Sequence, residues 1–179
     1  MSLWDSILSA VQGVSRPASG VVVPSAGSCD RTQEAAFEYV LACCEGPDGP
    51  DGYHMLFGGK LFDSFADHPR IGRQFVNNDG VTQYSTAAGR YQINWPTWSG
   101  EIQPALHLPD FSPESQDRAA LYLITVSGAI DDIHAGRLQA AIDKCGGRWA
   151  SLPSSRYPQP RRTYQFCVQA FLAANGRLS

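Results

Sequence analysis

The chain has 179 residues and a mass of 19.4 kDa, with 43% hydrophobic and 17% charged residues. This length and composition indicate one folded domain with its own core, and they exclude a disordered chain, which would carry more charge and fewer aromatic residues. The net charge of −3 and the pI near 5.7 give no long-range attraction to phosphate groups, which argues against nucleic acid as the main partner.

The N-terminal segment differs in composition from the rest of the chain. Trp4, Ile7, Leu8 and Val11 recur at helical spacing, and a stretch rich in Pro, Gly and Ser follows. We interpret residues 1–29 as an extension and linker, and residues 30–179 as one domain. The segment lacks both a basic start before an apolar core and a run of about 18 apolar residues, so neither a cleavable signal peptide nor a membrane span is predicted.

The first helix of the domain is predicted in "DRTQEAAFEYVLACCEG". Asp30 and Gln33 are spaced as an N-cap pair, and Gly46 supplies a helix stop. An apolar stripe between these ends should face the core; its members are Phe37, Val40, Leu41 and Cys44.

Glu45 occupies the last turn of this predicted helix. A carboxylate at a helix C-terminus faces the negative end of the helix dipole, which disfavours the ionised form and raises its pKa. Such a group is suited to general-acid catalysis near neutral pH. The alternative is an exposed terminal glutamate without a catalytic role.

A turn-rich connector, "GPDGPDG", leads into "YHMLFGGKLFDSF". Gly58 and Gly59 separate two short apolar runs, which matches the two-residue signal of a β-hairpin. A glutamate at the end of a helix that opens onto a small sheet is typical of lysozyme-like enzymes that cleave polysaccharides.

The next segments combine an unusual polar stretch with a helical scaffold. "STAAGRYQINW", residues 85–95, is too polar for a core and too aromatic for a solvated linker. Further helices are predicted from Ser112-Pro113 to Gly128, in "LQAAIDKCGG" and in "RRTYQFCVQAFLAANG". In the last of these we expect four inward-facing residues: Phe166, Ala170, Leu172 and Ala173.

Cysteine and histidine usage predicts neither a metal site nor a cofactor. The five cysteines lack CxxC spacing, and His107 and His134 lie far apart without further ligands. An odd number of cysteines does not suggest a full disulfide framework, so synthesis in a reducing compartment is the default expectation.

Six motifs follow one another in a specific order: "EG", "GY", "GGKLFDSFADHPR", "STAAGRYQ", "LPDFSPESQDRAAL" and "AIDKC…WASLPSSRYPQ". In order and approximate spacing they resemble the phage lambda-type endolysins, small lytic transglycosylases that cut bacterial peptidoglycan. The resemblance covers about residues 33–176. It implies an α+β, lysozyme-like fold in which a mainly helical lobe and a small β-hairpin lobe enclose a cleft.

The resemblance also implies roles for particular residues. Glu45 matches the single essential glutamate, residues 71–84 match a flexible loop on one lip of the cleft, and residues 151–162 match the opposite lip. Nine residues are implied to bind substrate: Tyr53, His68, Ser85, Thr86, Arg90, Tyr91, Gln92, Tyr157 and Gln159. A structural role is the alternative for His68, whose following proline fixes the local backbone.

Some residues depart from the family pattern or favour packing. Cys44 stands where a serine is expected and His54 where an aspartate is expected. Three tryptophans are predicted to lie in the core or at the lobe interface rather than to bind sugar: Trp95, Trp98 and Trp149.

The function implied by the resemblance is lytic cleavage of peptidoglycan by one glutamate, without consumption of water. Two alternatives remain open: a hydrolytic muramidase with a second carboxylate, or a murein-binding virion module without activity. The candidate second carboxylates are Asp48, Asp51, Asp63 and Asp67.

The implied partner is the glycan strand of peptidoglycan. We expect a monomer that accumulates in the host cytoplasm and reaches the periplasm through a separate holin-type pore. Attachment to the virion is the alternative location.

Overall fold

The computed structural model describes residues 28–46 and 49–179. The predicted N-terminal extension, apart from its last two residues, lies outside the described residues. The same is true of Asp48.

The domain begins with a long helix, α1, which spans Ser28–Glu45. The apolar stripe predicted from its sequence is buried, and Phe37, Val40 and Leu41 are fully inaccessible. The predicted N-cap is wrong, because Asp30 lies inside the first turn. Gln33 instead bonds to the backbone of Arg177 near the C-terminus.

The segment after α1 is less regular than a hairpin. A 3₁₀ helix, Pro50–His54, comes first. The chain then turns at the two predicted glycines, where the Leu56 N–H donates to the Lys60 carbonyl at 2.7 Å. One antiparallel bridge, Met55 to Leu61, accompanies this turn.

The regular sheet lies in the segment that was predicted to be a loop. Strand β1 (Arg73–Val76) pairs antiparallel with β2 (Thr82–Ser85). The turn between them is stabilised by Asn77, whose Oδ1 accepts from the N–H groups of Asp79 and Val81. This local turn closes the hairpin, and so the loop prediction is corrected.

The rest of the domain is mainly helical. Two short helices, α2 (Trp95–Thr97) and α3 (Gln103–Leu106), flank a π-helical turn at Trp98–Ile102. Four further helices follow: α4 (Pro113–Val126), α5 (Ile130–His134), α6 (Leu138–Cys145) and α7 (Tyr164–Ala173). Ser112 caps α4 as predicted, with its side chain accepting from the Ser115 N–H.

Helix α1 packs against α4, α5 and α7, and this packing forms the centre of the core. Trp98 and Trp149 are buried, as predicted. In α7 the expected inward face is only partly correct, because Cys167 and Phe171 are buried whereas Leu172 is 50% exposed. Ala173 is exposed as well.

The buried face of α7 differs from the expected one for a geometric reason. Positions separated by four residues lie on one face of a helix, so Cys167 and Phe171 together face the core.

The overall architecture is α+β, with a mainly helical body and a small antiparallel sheet.

Candidate active site

A cleft of about 420 Å³ lies at the C-terminal end of α1. Three parts of the chain form most of its walls: the last residues of α1, several residues between 85 and 97, and several between 147 and 160; Phe57 and Leu123 complete the lining. Among the residues that the structure describes, Glu45 is the only acidic one in the lining. Arg148 also lines the cleft, but it forms a two-fold ion pair with Glu101, at 2.6 and 2.8 Å.

Glu45 is positioned by two features of the fold. It is the last residue of α1, and the Ser151 hydroxyl donates a hydrogen bond to its Oε1. Burial raises the pKa of Glu45 to about 7, while hydrogen bonds from Ser151 and the charge of Arg162 partly oppose this rise. The direction agrees with the prediction from the helix end, although burial is the main cause. Near neutral pH this carboxyl can both donate and accept a proton.

Ser151 was not identified from the sequence as a partner of Glu45. The two residues are separated by 106 positions. The resemblance placed residues 151–162 on a lip of the cleft, but no local pattern distinguishes this serine from those that follow it. Only the folded chain brings its hydroxyl to the glutamate.

Five of the nine residues predicted to bind substrate line the cleft: Ser85, Tyr91, Gln92, Tyr157 and Gln159. Tyr157 is 48% exposed, and its hydroxyl donates to the Gly147 carbonyl at 3.1 Å. Its hydroxyl is therefore fixed, while about half of the residue stays accessible at the cleft.

Tyr91 and Gln92 form the wall of the cleft rather than its free surface. Tyr91 is only 3% exposed and donates its hydroxyl to Asp117 Oδ1 at 2.7 Å. The Gln92 amide nitrogen donates to the carbonyls of Met55 and Gly89. These bonds hold the Gln92 side chain in place within the lining.

The other four predicted residues lie outside the lining, and the prediction is corrected for one of them, His68. This side chain is 2% exposed, and its Nε2 lies 2.8 Å from the Ile93 carbonyl. Its ring packs among those of Trp95, Trp98 and Phe111. His68 therefore has a structural role.

Tyr53 and Arg90 support the site from behind. The Tyr53 hydroxyl donates to Asp117 Oδ1 at 2.9 Å. Arg90 donates to the Gly49 carbonyl at 3.1 Å, and its guanidinium lies 5.2 Å from the centre of the Tyr53 ring. Both residues lie outside the lining of the cleft, and their predicted contacts with substrate stay predictions.

Thr86 is also engaged within the protein. Its hydroxyl oxygen accepts from the Trp95 N–H at 3.0 Å, and its backbone N–H donates to Asn94. The threonine thus fixes the start of α2 and lies outside the lining of the cleft, and its predicted contact with substrate stays a prediction.

Asp117 and Gln116 of α4 are supporting residues that the sequence analysis did not assign. Asp117 accepts hydrogen bonds from two tyrosines, as described above, and burial raises its pKa. Gln116 accepts from the Arg90 N–H, and a Cβ at Gly89 would lie 2.2 Å from its Oε1. Their position in "SPESQDRAAL", within a motif shared with the resembling family, was the available signal.

The two departures from the family pattern have defined surroundings. His54 Nδ1 lies 2.7 Å from the Phe62 carbonyl, and its ring stacks on Phe65 at 4.2 Å between centroids. His54 therefore holds the turn together. Cys44 lines the cleft next to Glu45 but is only 5% exposed.

Comparison with known proteins gives a consistent result. The sequence model of the family "Endolysin" matches residues 35–178. The chain is 39% identical over 153 residues to the endolysin of Escherichia phage P2, covering 79% of this chain and 92% of that protein. It is 38% identical over 150 residues to the endolysin of Escherichia phage lambda, covering 80% and 92%.

Two solved structures are also similar. Bacteriophage lambda lysozyme complexed with a chitohexasaccharide superposes with a TM-score of 0.76 and 35% identity, over 88% of this chain and all of that one. A second structure of lysozyme from bacteriophage lambda gives a TM-score of 0.71 and 33% identity over the same shares. The fold is therefore lysozyme-like, and the chain belongs to the endolysin family.

Proposed function

We propose that this endolysin is a peptidoglycan lytic transglycosylase. It cleaves the β-1,4 bond between N-acetylmuramic acid and N-acetylglucosamine and leaves a 1,6-anhydro-N-acetylmuramic acid end. The observation that carries the proposal is the solitary carboxyl group of Glu45, with a pKa of about 7, in the described lining of the cleft.

The chemistry requires one group to act twice. Protonated Glu45 donates its proton to the glycosidic oxygen, and the bond from that oxygen to C1 breaks. The resulting carboxylate then accepts the proton of the C6 hydroxyl of the N-acetylmuramic acid. As it does so, the oxygen of this hydroxyl attacks C1 of the same sugar. Glu45 ends protonated, no water is consumed, and a pKa near 7 serves both transfers.

A hydrolytic muramidase would need a second carboxylate near the scissile bond. Asp51, Asp63 and Asp67 are all exposed and lie outside the lining, and Asp67 pairs with Arg70. Asp48 lies outside the described residues. The geometry of the described chain thus favours the mechanism with one glutamate.

The substrate assignment rests on the polar character of the cleft and on relatives. Hydroxyl and amide groups of Ser85, Gln92 and Gln159 lie in the lining, as expected for binding sugar hydroxyls and N-acetyl groups. The similar lambda lysozyme was solved with a chitohexasaccharide. For this chain we propose peptidoglycan strands as the substrate.

The route to the substrate is a further part of this proposal. None of the described helices has the length and apolar character needed to cross a membrane. We propose a monomer that waits in the host cytoplasm and enters the periplasm through a separate holin-type pore. Detection of the protein in purified virions would instead support a role in particles.

The decisive experiment combines a turbidity assay with product analysis. Purified protein should clear permeabilised Gram-negative cells, and its products should weigh about 18 Da less than hydrolysis products because water is not added. Reducing-end products would establish a hydrolytic muramidase. Unchanged turbidity together with retained murein binding would establish a binding module.

A further inference from the structure

The cysteine that precedes Glu45 lies in contact with a second cysteine. Cys44 Sγ, in α1, lies 3.7 Å from Cys167 Sγ, in α7. Both side chains are buried, at 5% and 0% exposure. The other three cysteines, at positions 29, 43 and 145, are also unbridged.

We propose that Cys44 and Cys167 form a redox-active dithiol, which a small organic disulfide converts into an intramolecular disulfide that braces the C-terminal end of α1 against α7. The short sulfur–sulfur distance means that only a small approach of the two side chains is required. The new bond would join two helices that already pack against each other.

Access is provided by the cleft. Cys44 is one of its lining residues, whereas Cys167 lies behind Cys44 and is closed to solvent. A small disulfide that enters the cleft therefore meets Cys44 before Cys167, and Cys167 is placed to resolve the product. This order of events follows from burial alone.

The electrostatic surroundings support thiol exchange. The hydrogen bond from Cys44 lowers the pKa of the Cys167 thiol, and the nearby Arg162 guanidinium acts in the same direction. The same hydrogen bond and burial raise the pKa of Cys44. The proton of the pair is therefore held by Cys44, and thiolate character is favoured at Cys167, which suits Cys167 to attack the mixed disulfide formed at Cys44.

The exchange balances with the disulfide as the oxidant. Cys44 sulfur attacks RS–SR, which forms a mixed disulfide and releases one RS⁻. Cys167 sulfur then attacks Cys44 Sγ and releases the second RS⁻. The two thiol protons are taken up by the two released thiolates, so the protein loses two electrons and two protons while RS–SR becomes two RSH.

The consequence is a domain that becomes more stable after oxidation. The bond closes a loop of more than 120 residues, since the two cysteines are 123 positions apart. Long loops are those in which cross-linking constrains the unfolded chain most. If the proposed function is correct, the dithiol form belongs to the cytoplasm and the disulfide form to the oxidising periplasm.

The test uses the full chain and hydroxyethyl disulfide as the probe. Treatment should yield a cross-linked peptide in which Cys44 and Cys167 have each lost one hydrogen, and it should raise Tm by about 5–15 °C. Excess dithiothreitol should reverse both changes. These readouts do not depend on activity, so they remain informative if the proposed transglycosylase chemistry fails.

Matched variants identify the bond. Cys43→Ser should behave like the unmodified chain, whereas Cys167→Ser should lose both the cross-linked peptide and the rise in Tm. A cross-link that persists in Cys167→Ser, a stable mixed disulfide as the sole product, or an unchanged or lower Tm after bond formation would each overturn the proposal.

Discussion

At the scale of single residues, the site depends on how the surroundings of Glu45 set the pKa of its carboxyl group. Glu45 lies at the end of a helix and within a buried environment, and both features favour its protonated form. Ser151 opposes them by donating a hydrogen bond to the carboxylate. The balance places the pKa where the group can exchange protons in both directions.

Replacing Glu45 by Gln should remove activity while preserving the fold. The amide keeps the size of the side chain but cannot supply or take back a carboxylic proton, so turnover on isolated murein should fall by at least about 10²–10⁴-fold. Asp63→Asn is the matched control, because Asp63 is exposed and outside the cleft lining. Retention of most activity in Glu45→Gln would refute the assignment.

Replacing Ser151 by Ala should shift the pH dependence of kcat/KM. The unmodified enzyme should lose activity as pH rises through about 7, because Glu45 must begin protonated. Loss of the serine hydroxyl destabilises the carboxylate, so this limb should move upward by about one pH unit. Ser154→Ala is the control, since Ser154 bonds to the Ile142 carbonyl. An unshifted limb would show that Ser151 does not tune Glu45.

At the scale of elements, the cleft is made by segments held in place from behind. Tyr91 forms part of one wall because Asp117 of α4 holds its hydroxyl. Residues 147–160 form the opposite lip, where Tyr157 is fastened to Gly147 but keeps an exposed ring. The two walls therefore differ: Tyr91 is a buried part of one wall, whereas Tyr157 on the other is accessible to a ligand.

Replacing Tyr157 by Ala should weaken binding of glycan without unfolding the protein. The exposed ring contributes little to the core, so KM on isolated murein should rise by about tenfold while Tm changes by less than about 3 °C. Tyr164→Ala is the control, as Tyr164 is 38% exposed at the start of α7 and lies outside both the lining and the two lips. A large fall in Tm would make Tyr157 a packing residue instead.

Replacing Gln33 by Ala should loosen the attachment of the C-terminus to α1. The Gln33 side chain donates to the carbonyls of Ile133 and Arg177 and accepts from the Arg177 N–H. Removing it leaves buried backbone groups unpaired, at a cost of about 2–4 kcal/mol in the free energy of unfolding. Urea denaturation measures this loss, and the exposed Gln169→Ala should show almost none. Equal stability of the two variants would contradict the prediction.

At the scale of the whole molecule, the protonation of Glu45 that starts the proposed reaction also stabilises the folded chain. The pKa of Glu45 is about 7 in the folded chain against an ordinary value of 4.5. The folded state therefore holds this proton to higher pH than the unfolded state. The stability gained from protonation is complete below about pH 4.5 and is lost as pH rises through about 7.

Comparison of the native chain with Glu45→Gln should isolate this effect. Between about pH 4.5 and pH 8 the native chain should lose about 1–3 kcal/mol of unfolding free energy relative to the variant, because glutamine does not titrate. Urea unfolding at several pH values measures the difference, in which contributions from other carboxyl groups cancel. A difference that does not vary with pH would contradict a raised pKa at this position.

Features of the fold could be predicted from the sequence where they depend on residues that lie close together along the chain. The apolar stripe of α1, the glycine stop after Glu45 and the Ser112 cap of α4 all depend on residues within a few positions, and the structure has each of them. The β1–β2 hairpin was missed although its Asn77 turn is local. The family resemblance predicted a loop for residues 71–84, and this prediction was preferred to the turn that Asn77 indicates.

The sequence by itself determined the helical scaffold, the endolysin family and the position of Glu45 at a helix end, because periodicity, caps and ordered motifs are properties of the linear chain. Tertiary structure alone decided that Ser151 meets Glu45, that His68 is buried and that Cys44 lies against Cys167. These pairings join residues far apart in sequence. Their burial, which sets both the pKa of Glu45 and the environment of the two thiols, exists only once the helices have packed.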